Sequence, residues 1–280
     1  MGTDVTSCYR ESTVQNPILF FSGAACLLWS LVWLAVVKHS PCEDTQLSDK
    51  ERKLLSSCHQ SHKDEPISVP WGRIFTSLPV WSIIIGWIVC SWTNVTFTTE
   101  LSPFLKFGLG YDIEQTGLLY GLSFFGTAVI LSVAGPFADT LFVKGVFSQT
   151  NTRKVLTCTA LSLQCVCFTI VASTSYKIVS LVIGLGSNAL MYPGVRANTL
   201  DIAPPYSGVI MGIANTFGTC IGIIGPVIVG FIVKTESMYE WSIVFFLSAA
   251  ISATGGVFYA INASGEIQPW AAPGLDPKKS

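Results

Sequence analysis

Residues 202–233, IAPPYSGVIMGIANTFGTCIGIIGPVIVGFIV, run for 32 positions without one Asp, Glu, Lys or Arg. A helix rises about 1.5 Å per residue, so roughly 20 apolar residues cross the ~30 Å hydrocarbon layer of a bilayer. The stretch therefore reads as a membrane-spanning helix. Working outward, six more charge-free windows of comparable length lie at 17–37, 74–99, 115–138, 155–176, 178–195 and 241–265. All 16 Lys and Arg and all 17 Asp and Glu fall between the windows. Half of the 280 residues are hydrophobic, and the mean hydropathy of +0.54 exceeds what a wetted globular surface allows. These features predict an all-α membrane protein with seven transmembrane helices. The first covers 17–37, and the others lie at about 76–99, 115–136, 155–175, 178–197, 207–233 and 241–262. The remainder divides into a stub at 1–16, a long central loop at 38–73 and a tail at 266–280.

Cationic residues orient such a chain, because cytoplasmic loops hold the excess of Lys and Arg. Counted on alternate sides, 12 of the 16 fall on one side, among them Lys38, Arg73, Lys144, Arg153, Lys154 and Arg196, and four on the other: Arg10, Lys106, Lys177 and Lys234. That split predicts a lumenal or extracellular amino terminus and a cytosolic carboxy terminus. A net charge of −1 with no basic block argues against nucleic acid as a partner. Six of the nine cysteines lie inside apolar windows, where a thiol acts as a small hydrophobe, and Cys8, Cys42 and Cys58 make no disulfide or zinc pattern. His39, His59 and His62 in the central loop lack metal-ligand spacing, and that loop reads as a solvated connector, partly helical around Ser48 to Leu55. No cofactor or metal is expected, and the spans hold no His pair, carboxylate dyad or Ser/His set for catalysis.

Polar groups in lipid are costly, so those inside the windows mark the bundle interior. Asn94 and Thr98, four residues apart, share a helix face with Leu101. That face either lines a solute path or bonds neighbouring helices. Asn215 with Thr216 interrupts a glycine-rich span carrying Gly208-x-x-x-Gly212 and Gly218-x-x-x-Gly222, a pattern that lets helix backbones approach closely. Arg196 is the one cation at the edge of an apolar span. It reads either as a contact for an incoming anion or as a side chain that snorkels to the headgroups or pairs with nearby Asp201. Gly135 and Asp139, facing Arg153 and Lys154 across a short loop, read as a charged gate at one end of the bundle, or as ordinary capping and positive-inside charges.

The strings Asn198-Thr-Leu-Asp-Ile-Ala-Pro204, Tyr206-Ser-Gly208, Met211-Gly212, Asn215-Thr-Phe-Gly218 and Gly222-Ile-Ile-Gly225-Pro226 resemble the tenth and eleventh helices of one group within the major facilitator superfamily. That group holds the sialin, vesicular glutamate and sodium-phosphate cotransporters. Within the motif the resemblance rests on Asn198, Leu200, Asp201, Pro204, Gly208, Gly212, Gly218, Gly222 and Pro226. Val69-Pro-Trp71, Phe75 to Trp81, Thr99-Glu-Leu101, the 135–154 loop, Glu240-Trp241 and Gly265 to Trp270 extend it over nearly the whole chain. The resemblance implies that the seven helices match helices six to twelve of a twelve-helix bundle. The chain is then expected to be a fragment lacking helices one to five and inactive alone. It further implies secondary active transport of organic anions or phosphate, coupled to protons or sodium, by rocking two halves about a central site. The expected membrane is the plasma membrane or a lysosomal or vesicular one.

Three departures stand out. The glutamate carriers have an arginine in the seventh helix two residues before the tryptophan that matches Trp92, and Cys90 stands there. This argues against a glutamate-type site. The histidine frequent within the Asn-x-Leu-Asp string is Thr199, and the arginine common after Ala-Pro is Pro205. A truncated isoform that binds the full-length carrier is the alternative reading. A seven-helix receptor fits the helix count, but the sequence lacks the Asp/Glu-Arg-Tyr, Cys-Trp-x-Pro and Asn-Pro-x-x-Tyr motifs of that class.

Overall fold

The computed structural model describes residues 4–37, 48, 68–145, 147–174 and 176–272, with the backbone alone for 4–18. All secondary structure among the described residues is helical. Seven helices are long and apolar enough to cross a membrane. The three loop histidines, Cys8, Cys42, Cys58 and the predicted turn beyond Ser48 lie outside what is described, as do the side chains of 1–16 and residues 273–280.

The chain divides at Pro66 into two units. The first holds α1 (Asp4–Val36), whose stretch Leu19–Val36 has a mean hydropathy of 2.1. Its Ser30 hydroxyl donates to the Cys26 carbonyl at 2.8 Å, which satisfies a polar group within the helix itself. The second unit contains short α2 (Trp71–Thr76), then α3 (Leu78–Pro103), α4 (Ile113–Val143), α5 (Gln149–Ser173) and α6 (Lys177–Ser187). A 3-10 turn at Asn188–Leu190 and a π turn at Tyr192–Arg196 carry α6 into α7 (Ala197–Ile202), followed by α8 (Ser207–Ile232) and α9 (Met238–Asn262).

Several helices outrun their charge-free windows. The span expected at 115–136 continues through Asp139 to Val143, and the one expected from 155 begins at Gln149, taking Arg153 and Lys154 into its first turns. Caps rather than charges set these starts. The Asp112 carboxylate accepts from Gln115 N at 2.8 Å, and Ser148 Oγ accepts from Asn151 N at 3.3 Å. Ser237 and Glu240 close a capping box at the start of α9. Pro103 lies at the end of α3, where the helix widens into a π turn over Phe104–Gly108.

In the second unit α3 packs against α8 and α9, α5 against α9 and α6, and α4 against α6. Two apolar clusters fill the interior. One gathers Ile83, Ile84, Val195, Ile210 and Tyr259. The other stacks Phe97 on Phe168 and Phe245, with ring centroids 4.9 and 5.5 Å apart. A belt of buried polar groups joins the helices between them. Gln164 Oε1 accepts from Thr93 and Ser252, both at 3.4 Å, and its Nε2 donates to Asn188 Oδ1 at 3.5 Å. Trp92 Nε1 donates to Ser248 Oγ at 3.0 Å.

The glycines of α8 separate into two groups. A Cβ on Gly218 would come within 2.5 Å of Ser91 Oγ, one on Gly222 within 3.1 Å of Val95, and one on Gly225 within 2.8 Å of Thr96 Oγ1. Gly208 and Gly212 have nothing within 4 Å. The second Gly-x-x-x-Gly pair is thus the one that seats α8 on α3.

One ion pair is present among the described residues. Arg153 Nε lies 2.6 Å from Asp201 Oδ2, Nη2 reaches Oδ1 at 3.4 Å, and Nη1 donates to the Pro193 carbonyl at 2.6 Å. It joins the first turns of α5 to the end of α7 and to the π turn. The start of the expected tail folds over the same end. Gly265 N donates to Thr150 Oγ1 at 2.9 Å, Gln268 N donates to the Ile202 carbonyl at 2.8 Å, and Trp270 lies against Tyr206.

Two outcomes test this packing. Gly218→Val overpacks the α3 contact at a cost of about 1–3 kcal/mol and lowers the unfolding temperature in detergent by several degrees, while Gly212→Ala leaves it unchanged. Asp201→Asn strands a partly buried guanidinium and costs about 3 kcal/mol. Adding Arg153→Gln to it costs less than the two single losses together, which a double-mutant cycle in denaturant reads directly.

Candidate functional site

A cavity of about 500 Å³ opens between α3, α8 and the π turn. Asn94 and Thr98 of α3, Asn215 of α8 and Arg196 all line it, together with Ser91 and Thr219. Four polar residues, three from two separate windows and one from the edge of a third, therefore meet at one place. The i, i+4 spacing on α3 holds the first two together, and Thr98 Oγ1 donates to the Asn94 carbonyl at 2.5 Å. Leu101, which the same spacing placed on that face, is 1 % exposed and belongs to the phenylalanine cluster. The cavity ends where those rings begin.

Arg196 owes its setting to the backbone on either side. Asp201 lies five residues further along, about 140° around a helix, so the two side chains diverge. The expected Arg196–Asp201 pair does not form, and Asp201 is taken by Arg153. The Arg196 guanidinium instead lies 4.5 Å from the Trp87 ring centroid and 4.1 Å from that of Tyr192. Its Nε is buried without a hydrogen-bond partner. The Cys90 side chain is in contact with Arg196 and Asn188. The position where a cation was expected to be missing thus has one beside it, carried by another helix.

The charged gate is arranged differently from its sequence reading. Asp139 is exposed on α4 and makes no ion pair among the described residues, and a Cβ on Gly135 would meet nothing within 4 Å. Lys154 is half-buried and unpaired with any carboxylate among the described residues. Arg153 alone of that set is engaged, and its partner comes from the Asn198–Pro204 string. Within that string Asn198 is fully buried and its amide donates to the Tyr259 hydroxyl at 3.1 Å, while Leu200 is exposed. Pro204 opens the 3-10 turn from α7 into α8, and Pro226 lies within α8. Asn198 and Asp201 of the string each hold two helices together.

Sequence reasoning passed over Gln164 and Asn188. Each is an amide inside a charge-free window, the same signal that singled out Asn94 and Asn215. Asn188 also lines a second cavity of about 140 Å³ on another side of α3, which shares Asn94 and Thr98 with the first.

The arrangement agrees with what the chain resembles. The description "Major Facilitator Superfamily" applies to a family model that matches residues 15–222. Vesicular glutamate transporter 2 of Bos taurus and of Homo sapiens are each 32% identical over 271 residues, which is 94% of this chain and 47% of theirs. Vesicular glutamate transporter 1 of Bos taurus is 32% identical over 266 residues, 92% of this chain and 48% of the relative. The chain spans about half the length of the curated relatives it matches. With its helical bundle and seven membrane-length spans, the chain belongs to the Major Facilitator Superfamily.

Proposed function

We propose that the protein supplies the carboxy-terminal half of a secondary active carrier for small organic anions, working by alternating access with proton or sodium coupling. In this assignment its seven spans are helices six to twelve of a twelve-helix plan. The Arg153–Asp201 end faces the cytosol, in keeping with the uneven distribution of Lys and Arg. The membrane is the plasma membrane or that of a lysosome or vesicle.

One observation carries the reading: the Arg196 guanidinium stands in the wall of a polar cavity with no carboxylate assigned to it. A cation within membrane depth is costly unless paired. Trp87 and Tyr192 offset part of that cost through their ring faces and fix the plane of the fork. A carboxylate or phosphate supplies the missing charge and takes the charge-assisted hydrogen bonds the fork offers. Asn94, Thr98 and Asn215 surround that point with neutral polar groups that orient the rest of the solute. The relatives' names point to a carboxylate, and the loss of arginine at position 90 no longer weighs against one, because Arg196 presents its charge beside Cys90. Rocking of the halves then exposes this wall to each side in turn.

The test is uptake of labelled glutamate, N-acetylneuraminate and phosphate, under an imposed proton or sodium gradient, into proteoliposomes holding the complete carrier that contains these residues. Arg196→Gln removes charge-assisted bonds of about 1.5–3 kcal/mol and should lower uptake of the accepted anion by roughly 10- to 100-fold, with Arg196→Lys intermediate. Uptake unchanged in Arg196→Gln would refute the assignment of Arg196 as the anion contact.

A further inference from the structure

Ser77-Leu78-Pro79 opens α3 with the residue types of a capped helix, yet the cap is not made. Ser77 stands at the N-cap, Pro79 has no N–H to give, and the Ser77 side chain does not take the one from Val80. The N–H groups of Leu78 and Val80 make no hydrogen bond among the described residues. Ser77 is only 9 % exposed, and its Oγ is buried without a hydrogen-bond partner. Buried polar atoms in that state are few in folded proteins, and an oxygen-bearing ligand supplies the bond this one lacks. Ser77, Leu78 and Pro79 belong to the wall of a further cavity of about 390 Å³, which Arg73 of α2 and Gln268 and Trp270 of the tail complete. Arg73 is the one charged residue in that wall. A guanidinium has five N–H donors and can serve several partners at once. The positive end of the 26-residue α3 adds charge of the same sign. The Gln268 side-chain amide donates to the Glu266 carbonyl at 3.1 Å and keeps a second N–H. Donors and positive charge with no carboxylate in the wall suit an oxyanion and repel a cation.

The surroundings of the cavity identify the source of that oxyanion. Trp71 and Phe75 of α2 are exposed and stack with ring centroids 6.3 Å apart, while Ile74 is fully buried in the core. Trp81 Nε1 donates to the Phe75 carbonyl at 2.8 Å, which holds α2 against the start of α3. Exposed aromatic rings at the entry of a spanning helix are characteristic of headgroup depth. Arg153 and Lys154 lie at the same end of the bundle, and ends rich in Lys and Arg face the leaflet that carries anionic phospholipids. We infer that the cleft between α2, the start of α3 and the tail binds the phosphodiester group of an anionic phospholipid. Its phosphate oxygens accept from Arg73, the Ser77 hydroxyl and the first-turn N–H groups of α3, and its acyl chains run along exposed Leu78 into the bilayer. The headgroup thereby joins the tail to the start of α3. The site lies apart from Arg196 and does not depend on what the carrier transports.

The test is photo-crosslinking of the complete carrier that contains these residues, in detergent micelles, with phosphatidylglycerol or phosphatidylcholine bearing a diazirine close to the headgroup, followed by peptide mapping. Phosphatidylglycerol should label the segments around Ser77 and Gln268 about fivefold more than phosphatidylcholine does, and inorganic phosphate in large excess should not displace it. Arg73→Gln should lower that labelling about fivefold and Ser77→Ala about threefold, each in a protein with an unaltered unfolding temperature, while Arg73→Lys and Lys154→Gln retain most of it. If Arg73→Gln does not fold, Ser77→Ala carries the comparison. Equal labelling by the two lipids overturns the site, as does labelling that neither Arg73→Gln nor Ser77→Ala lowers. Displacement by inorganic phosphate overturns the lipid and assigns the cleft to a dissolved anion. None of these results bears on Arg196, whose readout is uptake.

Discussion

Arg153 takes Asp201, and the rest of the site follows from that choice. The chain offers two cations and one carboxylate in the neighbourhood of its Asn198–Pro204 string. The cation 48 residues away claims the carboxylate with two nitrogens, and the one five residues away receives none. Helix geometry makes this outcome the natural one, because five positions turn the side chains well apart. The consequence is a separation of charge by task. One guanidinium is neutralised and fastened to the backbone at Pro193, tying α5 to α7. The other stands against two aromatic rings at the edge of a cavity, its charge unopposed by any described carboxylate.

The bilayer imposes the second constraint. Lipid cannot hydrogen-bond, so polar side chains within the spans must be satisfied inside the protein. Most hydroxyls here meet that demand by donating one turn back along their own helix, as Ser82, Thr127 and Ser248 do. Gln164 cannot, and it draws Thr93, Asn188 and Ser252 around itself, which fixes the register of α3, α5 and α9 at a common depth. Interhelical bonds of this kind average only about 0.6 kcal/mol each in membranes. Their value lies in geometry: they set the depth at which both cavities form.

Hydropathy made the spans legible, since crossing hydrocarbon demands length without charge. Helix ends were not legible from that signal, because a helix can carry Asp139 or Arg153 a turn or more past the apolar window once Asp112 and Ser148 have capped its start. Asn94, Thr98, Asn215 and Arg196 were legible as polar exceptions. Their meeting at one cavity was not, because it depends on tertiary contacts spanning more than 100 residues. The glycine motif misled in part. Gly208-x-x-x-Gly212 and Gly218-x-x-x-Gly222 are alike in sequence, and only the second touches α3, since spacing records the possibility of close approach but not which neighbour is there. The partner of Arg153 was not legible for a similar reason. Proximity in sequence joined Asp139 to Arg153, whereas the partner came from the end of α7.

All of these relations converge on α3. Its residues face a different neighbour at each step around the helix: Val89 meets Gly255 of α9, Ser91 and Val95 meet the glycines of α8, Trp92 meets Ser248, and Thr93 meets Gln164. Asn94 and Thr98 stand in the walls of both cavities, and the Tyr120 hydroxyl of α4 donates to the Thr98 carbonyl at 3.2 Å. A helix surrounded in this way cannot show a one-sided apolar stripe. Much of its polarity is distributed by partner, although Thr96 Oγ1 and the Trp87 indole Nε1 are buried without a hydrogen-bond partner. The Asn94 amide likewise has no partner among the described residues. Asn94 thus stands with an unassigned amide in the wall of both cavities, and the stacked Arg196 guanidinium stands in the wall of the larger.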